Sequence, residues 1–215
     1  MTFLRPDAEV VGSYLALRRR VIGLLHSRPD SDSSCVVPLC PAWTVSALVS
    51  HMVGVNEDIL ANRMDGVTTD AWTQAQVDRH TGQSLASLAD GWESIAADFD
   101  AVLPHIPAPV NSQLVMDAVT HELDLRHALG STDARDTDAV HVALGWLLDM
   151  AETKQSGLGH ALSESGIEPF QLLRSLTGRR SRDQMAELGL PVSTIERILN
   201  GTPLKPPTVA IESIR

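Results

Sequence analysis

The 215-residue chain carries 17 lysines and arginines against 27 aspartates and glutamates, a formal net charge of −10 at pH 7. Nucleic acids and anionic membranes repel such a chain, so we expect neither to be a main partner. With 43% hydrophobic and 20% charged residues, the composition is that of a globular protein, long enough for one domain or for one domain with an appendage. No apolar run approaches the roughly 18 residues that cross a bilayer.

The cysteines and the first residues predict the cellular location. Cys35 and Cys40 are the only cysteines, too few for a disulfide framework, which favours a reducing compartment. Residues 1–7, Met-Thr-Phe-Leu-Arg-Pro-Asp, lack the basic and long apolar regions of a signal peptide. We therefore expect a cytoplasmic protein.

The first helix is predicted from about Asp7 to His26, because apolar residues recur there at helical spacing. Arg18, Arg19 and Arg20 are expected on its solvent face. A loop follows over residues 27–41, which are rich in serine, proline and aspartate.

The second helix is predicted to start at Thr44, a good N-cap residue, and to run to about Met64. Its apolar stripe contains Leu48, Met52, Val55 and Ile59. His51 lies about 60° to one side of this stripe and still faces inward. It is either a half-buried histidine bonded to a carbonyl group or a metal ligand.

Residues 66–83 are polar and irregular, with one short helical turn predicted around 73–79. Arg79 in this segment is either a surface residue or a cation that binds a ligand. A third helix is predicted from about Ser84 to Leu103, where the apolar periodicity is strong. Three prolines between 104 and 109 exclude a helix across the connector that follows.

The fourth helix is predicted over residues 112–129, closed by Gly130. Asp117, His121 and Asp124 fall in or beside its inward stripe. Acidic and imidazole groups that face a core are costly unless they are paired or bind a metal. Asp117 and His121, one helical turn apart, are therefore either an internal polar pair or two ligands of one ion. Glu122 and His127 are expected on the outer face.

Four amphipathic helices without a hairpin signal predict an all-α fold built on a four-helix bundle. Metal sites in such bundles use side chains from facing helices, so His51, Asp117 and His121 together would form a three-ligand site. Three ligands leave a coordination position open, as catalytic zinc sites do. Beyond the bundle, domain 1–130, shorter helices and a proline-broken tail are predicted to form a helical extension, 131–215, packed on it.

Three segments resemble a known family. Residues 38–45, Pro-Leu-Cys-Pro-Ala-Trp-Thr-Val, with His51 after them, resemble the C-P-G-W-T-V…D-L-V-x-H signature of the mycothiol-dependent maleylpyruvate isomerase family. That family belongs to the DinB-like metal-binding four-helix bundles. Residues 117–130 look like its second signature, an acid-x3-His pair. Residues 172–181 look like the L-L-R-x-L-x-G-R-R-S element common in actinobacterial members.

The resemblance implies roles for particular residues. His51, Asp117 and His121 match the three metal ligands of the family, although the isomerase itself has a glutamate where this chain has Asp117. Asp124 matches an active-site acid that either orients His121 or acts on the bound thiol. Arg79 falls where members often place an arginine that faces the open site.

By this resemblance we expect a metal-dependent enzyme that uses mycothiol or a similar low-molecular-weight thiol as cosubstrate. The divalent ion would be zinc or, as an alternative, nickel. The reaction would be S-transfer to an electrophile, or maleylpyruvate-isomerase-like cis–trans isomerisation through reversible thiol addition. The expected partners are these small molecules, and homodimerisation is expected by analogy with the bundle class.

Three alternatives remain open from the sequence. The same ligands could activate water for hydrolysis. The chain could also be a metal-binding regulatory module without catalysis. Finally, residues 182–201 superficially resemble a DNA-binding helix-turn-helix, with Gly189 in the turn.

Overall fold

The computed structural model describes residues 2–214, and within them the regular secondary structure is helical apart from one isolated β-bridge between Val36 and Thr44. The all-α prediction is confirmed. The α-helices are α1 Asp7–His26, α2 Val45–Leu60, α3 Asp70–Arg79, α4 Leu85–Ser94, α5 Ala96–Val102, α6 Val110–Ala128, α7 Asp138–Lys154, α8 Leu158–Ser163, α9 Pro169–Leu176, α10 Arg182–Glu187 and α11 Val192–Leu199. None of these helices is long and apolar enough to cross a membrane.

Helix α2 ends at Leu60, four residues before the predicted end. Asn62 has a left-handed φ of 53°, and the Arg63 N–H donates to the Asp58 carbonyl oxygen at 2.8 Å. This C-terminal capping motif has an asparagine at the left-handed position, where glycine is more frequent. The sequence pattern misses it because apolar residues continue to Met64.

The third predicted helix is two helices, α4 and α5, separated at Ile95. The ψ angle of Ile95 is 0°, outside the regular helical range, and α5 restarts with the Phe99 N–H donating to the Ile95 carbonyl oxygen. The apolar spacing continues across this break, so periodicity alone predicted one helix.

Helix α3 has ten residues, whereas the sequence predicts only a short turn over 73–79. It begins with Thr69 as N-cap, whose hydroxyl accepts a hydrogen bond from the Trp72 N–H. Its one buried residue is Gln76, a polar side chain. A helix without an apolar stripe has no periodic signal, which explains the missed length.

Within residues 2–214 the chain divides into two compact units. One comprises Tyr14–Pro107 and His121–Ser131, and the other comprises the residues up to Ser13, Ala108–Thr120 and the residues from Thr132 onward. The predicted division into domains 1–130 and 131–215 stays a prediction.

In the first of these units, α1, α2 and α5 pack through Tyr14. The Asn56 side-chain amide donates to the Tyr14 hydroxyl at 2.6 Å, and the Tyr14 ring lies 5.4 Å from the Phe99 ring. Both rings are almost completely buried. These contacts fix the part of α2 that carries His51.

The expected solvent faces of α1 and α6 are wrong in part. Glu122 is completely buried, and Arg20 holds its carboxylate with two hydrogen bonds of 3.0 and 2.8 Å, while Arg126 donates to the same group. Arg18 is buried as well and pairs with Asp100 at 2.7 Å. Burial of these charges is tolerated because each is matched by an opposite charge with good hydrogen-bond geometry.

The other unit contains α7 to α11 and an extended tail. Arg174 and Arg180, both fully buried, donate to one carboxylate oxygen of Glu212 in the tail at 2.9 and 2.6 Å. Burial raises the pKa of the Glu212 carboxyl, but the charges of Arg174 and Arg180 outweigh it, so the pKa lies below its ordinary value. The tail is therefore anchored by a buried ion cluster.

Candidate metal centre

Helix α2 presents His51 to the site. The helix starts where the Thr44 hydroxyl accepts a hydrogen bond from the Ala47 N–H, as predicted for its N-cap. Two helical turns later His51 is buried, and its ring lies 5.0 Å from that of His121 on α6. The two histidines that the sequence singles out therefore face each other.

Asp117 and His121 lie one turn apart on α6, so this helix alone sets their spacing. Ligand atoms of His51, Asp117 and His121 all lie within 4.8 Å of one another. Zinc binds nitrogen and oxygen ligands at about 2.0–2.2 Å, so small side-chain adjustments would let one ion contact all three. The structure thus brings together the three residues that the sequence proposes as ligands.

Asp124 and Cys40 lie beside His121. Asp124 is completely buried, with Oδ2 3.8 Å from His121 Nδ1, and Cys40 donates to the same oxygen through Sγ at 3.5 Å. Cys40, His121 and Asp124 form a second group whose ligand atoms lie within 4.8 Å of one another. Cys40 is half-buried and contacts the site, whereas Cys35 is exposed.

Trp43 packs against the rings of both histidines. Its ring lies 5.3 Å from the His51 ring and 5.6 Å from the His121 ring. Trp72 from α3 approaches His51 edge-on at 6.5 Å. Trp43 belongs to the sequence motif before His51, and this contact gives that motif residue a physical role.

Gln76 is a site residue that sequence reasoning missed. Its Oε1 lies 2.7 Å from His51 Nδ1, and its Nε2 donates to Asp58 Oδ2 at 2.7 Å. A glutamine on a polar helix carries no signal by itself. The usable signal was Gly54, one turn after His51, because a glycine inside a helix often marks a close approach by another element.

Arg79 lies at the end of α3, next to carboxylates of α2. Its Nε is 3.0 Å from Glu57 and its terminal nitrogen 2.9 Å from Asp58. The guanidinium is therefore engaged by two acidic side chains of the protein. Its expected role in holding a carboxylate of the thiol or substrate stays a prediction.

A family model described as the mycothiol maleylpyruvate isomerase N-terminal domain matches residues 14–141, more than half of the chain. The chain belongs to this family. Membership in the mycothiol maleylpyruvate isomerase N-terminal domain family confirms the resemblance and the DinB-like helical-bundle fold. The matched range contains every candidate ligand as well as Asp124 and Arg79. Comparison with curated proteins and with solved structures returned no significant match.

The residues present fit a divalent metal ion. Two imidazoles and one carboxylate form a donor set that zinc uses in catalytic sites. Metal-bound histidines usually direct their second nitrogen to an oxygen acceptor, and here Gln76 Oε1 lies at 2.7 Å from His51 Nδ1 and Asp124 Oδ2 at 3.8 Å from His121 Nδ1. The hydrogen bond at Nδ1 of His51 assigns metal binding to Nε2 of that ring.

Proposed function

We propose that the chain is a metal- and thiol-dependent enzyme in which His51, Asp117 and His121 hold a divalent ion, zinc most readily. The observation that carries the proposal is the convergence of these three side chains to within 4.8 Å, in a chain of a mycothiol-related family. The thiol would be mycothiol or a similar small thiol, and the second substrate an electrophile.

A bound divalent cation lowers the pKa of a coordinating thiol and so supplies thiolate, the nucleophilic form, at neutral pH. The protein's own groups position the reactants around that site. The Trp43 ring packs against both imidazoles. Oδ2 of Asp124 lies 3.8 Å from Nδ1 of His121, where its negative charge would favour hydrogen on that nitrogen.

Two outcomes of thiolate attack are compatible with this arrangement. In S-transfer, the thiolate sulfur forms a lasting bond to the electrophilic carbon. With an activated alkene the thiol proton is returned to the neighbouring carbon; in a substitution the bond to the leaving group breaks, the leaving group takes the electron pair, and the proton goes to solvent. In cis–trans isomerisation, the thiolate adds to an activated alkene, the new single bond rotates, and elimination restores both alkene and thiolate. Asp117 is one methylene shorter than the glutamate of the isomerase, which shortens the reach of this ligand.

A hydrolase is the second candidate, because the same donor set also activates water in zinc enzymes. The DNA-binding alternative has less support, because three of the four arginines that would supply positive charge, Arg174, Arg179 and Arg180, are buried. The fourth, Arg182, is exposed and pairs with Glu196. A cytoplasmic location and a homodimer stay predictions.

The test is turnover by zinc-loaded protein with and without mycothiol, using maleylpyruvate and a panel of electrophiles. We expect turnover that needs both metal and thiol and falls at least about 100-fold in His51→Ala. His105→Ala, which removes an exposed histidine, is the matched control. Turnover without thiol would establish the hydrolase instead, and no turnover by fully loaded protein would leave a metal-binding module.

A further inference from the structure

We propose that Gln76 is a positioning residue that fixes the tautomer of His51 and thereby leaves its Nε2 lone pair for the metal. The effect of Gln76 on metal binding rests on the proposed function, whereas the tautomer of His51 does not. Three polar side chains lie in line: His51 Nδ1 is 2.7 Å from Gln76 Oε1, and Gln76 Nε2 is 2.7 Å from Asp58 Oδ2.

Because the three side chains are buried, water cannot replace their hydrogen bonds to one another. The side chain of Gln76 is 0% exposed, and His51 and Asp58 are nearly as buried. A buried amide must direct each of its two ends to a complementary partner, since an unmade hydrogen bond there costs about 1–3 kcal/mol. Gln76 therefore cannot turn its amide toward water.

The direction of the line is set at its far end. Arg63 and Arg79 contact Oδ1 of Asp58 at 2.7 and 2.9 Å. A guanidinium has only donors, and a carboxylate only accepts, so Oδ1 is used by the arginines and Oδ2 must accept from Gln76. The amide nitrogen of Gln76 then faces Asp58 and its oxygen faces His51.

The tautomer follows from the amide. An oxygen acceptor facing Nδ1 requires hydrogen on Nδ1, and in a neutral imidazole the other nitrogen then carries the lone pair. Nε2 of His51 is thereby prepared as a ligand before any ion arrives. Through its ion pair with Asp58, Arg79 takes part in this series of hydrogen bonds.

Gly54 permits the close approach of α3 to α2 that the contact between Gln76 and His51 requires. A Cβ at position 54 would lie 2.5 Å from Gln76 Cβ and 2.7 Å from its Cγ. Real side chains do not approach so closely, so any other residue at this position would push α3 away from α2. Gly54 lies three residues after His51, next to the turn that Gln76 must reach.

The first test reads the tautomer without metal. Long-range proton–nitrogen NMR on the full-length, metal-free protein, under mildly alkaline conditions, reports which imidazole nitrogen of His51 carries hydrogen. We expect hydrogen on Nδ1. Hydrogen on Nε2 in the wild type would overturn the inference, whether or not the protein binds zinc.

The second test measures zinc affinity by competition with a chromophoric chelator. Gln76→Met keeps the length of the side chain but removes the acceptor, and we expect a 10- to 100-fold weaker zinc affinity with loss of the single His51 tautomer. Gln74→Met, on the exposed face of α3, is the control and should change neither. Gln76→Met affinity within twofold of wild type would overturn the role.

Asp58→Asn covers the case in which Gln76→Met fails to fold. It replaces the carboxylate by an amide that can either donate or accept, so the His51 tautomer should become mixed. A wild-type protein that shows the Nδ1–H tautomer but binds no zinc would contradict the proposed function and leave the role of Gln76 in orienting His51 intact.

Discussion

Oδ2 of Asp124 lies 3.8 Å from Nδ1 of His121, and Asp124 is completely buried one helical turn after that histidine on α6. At His51 on α2, Oε1 of Gln76 from α3 lies 2.7 Å from Nδ1. Each of the two candidate histidine ligands therefore has an oxygen atom near its Nδ1, one from an acid and one from an amide. Metal affinity should depend on both.

Asp124→Asn should weaken zinc binding by about 10-fold, because the amide retains the size of the acid but loses the charge that favours hydrogen on Nδ1 of His121. Chelator competition measures the change. Asp98→Asn, on an exposed position of α5, is the control and should leave the affinity unchanged. Unchanged affinity in Asp124→Asn would show that this acid does not orient the ligand.

Cys40 should act as a hydrogen-bond donor to Asp124 and not as a metal ligand, because Sγ already lies 3.5 Å from Oδ2. Cobalt-loaded protein should therefore lack the intense near-ultraviolet absorption of a cobalt–thiolate bond. Cys40→Ser should bind cobalt within about threefold of wild type, as should the exposed control Cys35→Ser. A thiolate band that disappears only in Cys40→Ser would place sulfur in the coordination sphere.

Gly54→Ala should lower the free energy of unfolding by about 1–3 kcal/mol, because the added methyl would overlap Gln76. Gly23→Ala is the control: it is an exposed helical glycine on α1 with nothing near the added carbon, and the change should stabilise by about 0.5–1 kcal/mol. Urea unfolding measures both. If Gly54→Ala stabilised the protein as Gly23→Ala is expected to do, the close approach of α3 to α2 would be contradicted.

Glu212→Gln should destabilise the protein by about 3 kcal/mol at neutral pH, because Arg174 and Arg180 would lose their buried carboxylate. The folded pKa of Glu212 lies below its ordinary value of 4.5, so this contribution is complete above pH 4.5 and is lost as the pH falls through the folded pKa. Urea unfolding from neutral to acidic pH should show the wild-type advantage shrinking only below about pH 4.5. Glu187→Gln, an exposed change, should match wild type throughout.

Local signals predicted much of the fold. Helix α1 has its predicted bounds, and α2 starts behind the Thr44 cap. These features depend on residues close in sequence, namely caps, prolines and apolar spacing. The three ligand candidates were also found this way, since polar residues on an inward helix face stand out against their apolar neighbours.

Features that depend on distant partners were not predicted. Gln76 and Asp58 acquire their roles only when α3 packs on α2. Glu122 was placed on the outer face because its partner Arg20 is about a hundred residues away in sequence. A hydrogen-bond or ion-pair partner of this kind leaves no periodic trace in either segment, so spacing cannot reveal it.

The metal content of purified protein tests the central claim most directly. After loading with excess zinc and desalting, wild type and His105→Ala should each retain one equivalent of zinc, whereas His121→Ala and Asp117→Ala should retain much less than one. This follows if His51, Asp117 and His121 bind one ion together. Wild type that retains no zinc, or His121→Ala that retains as much as wild type, would contradict the account.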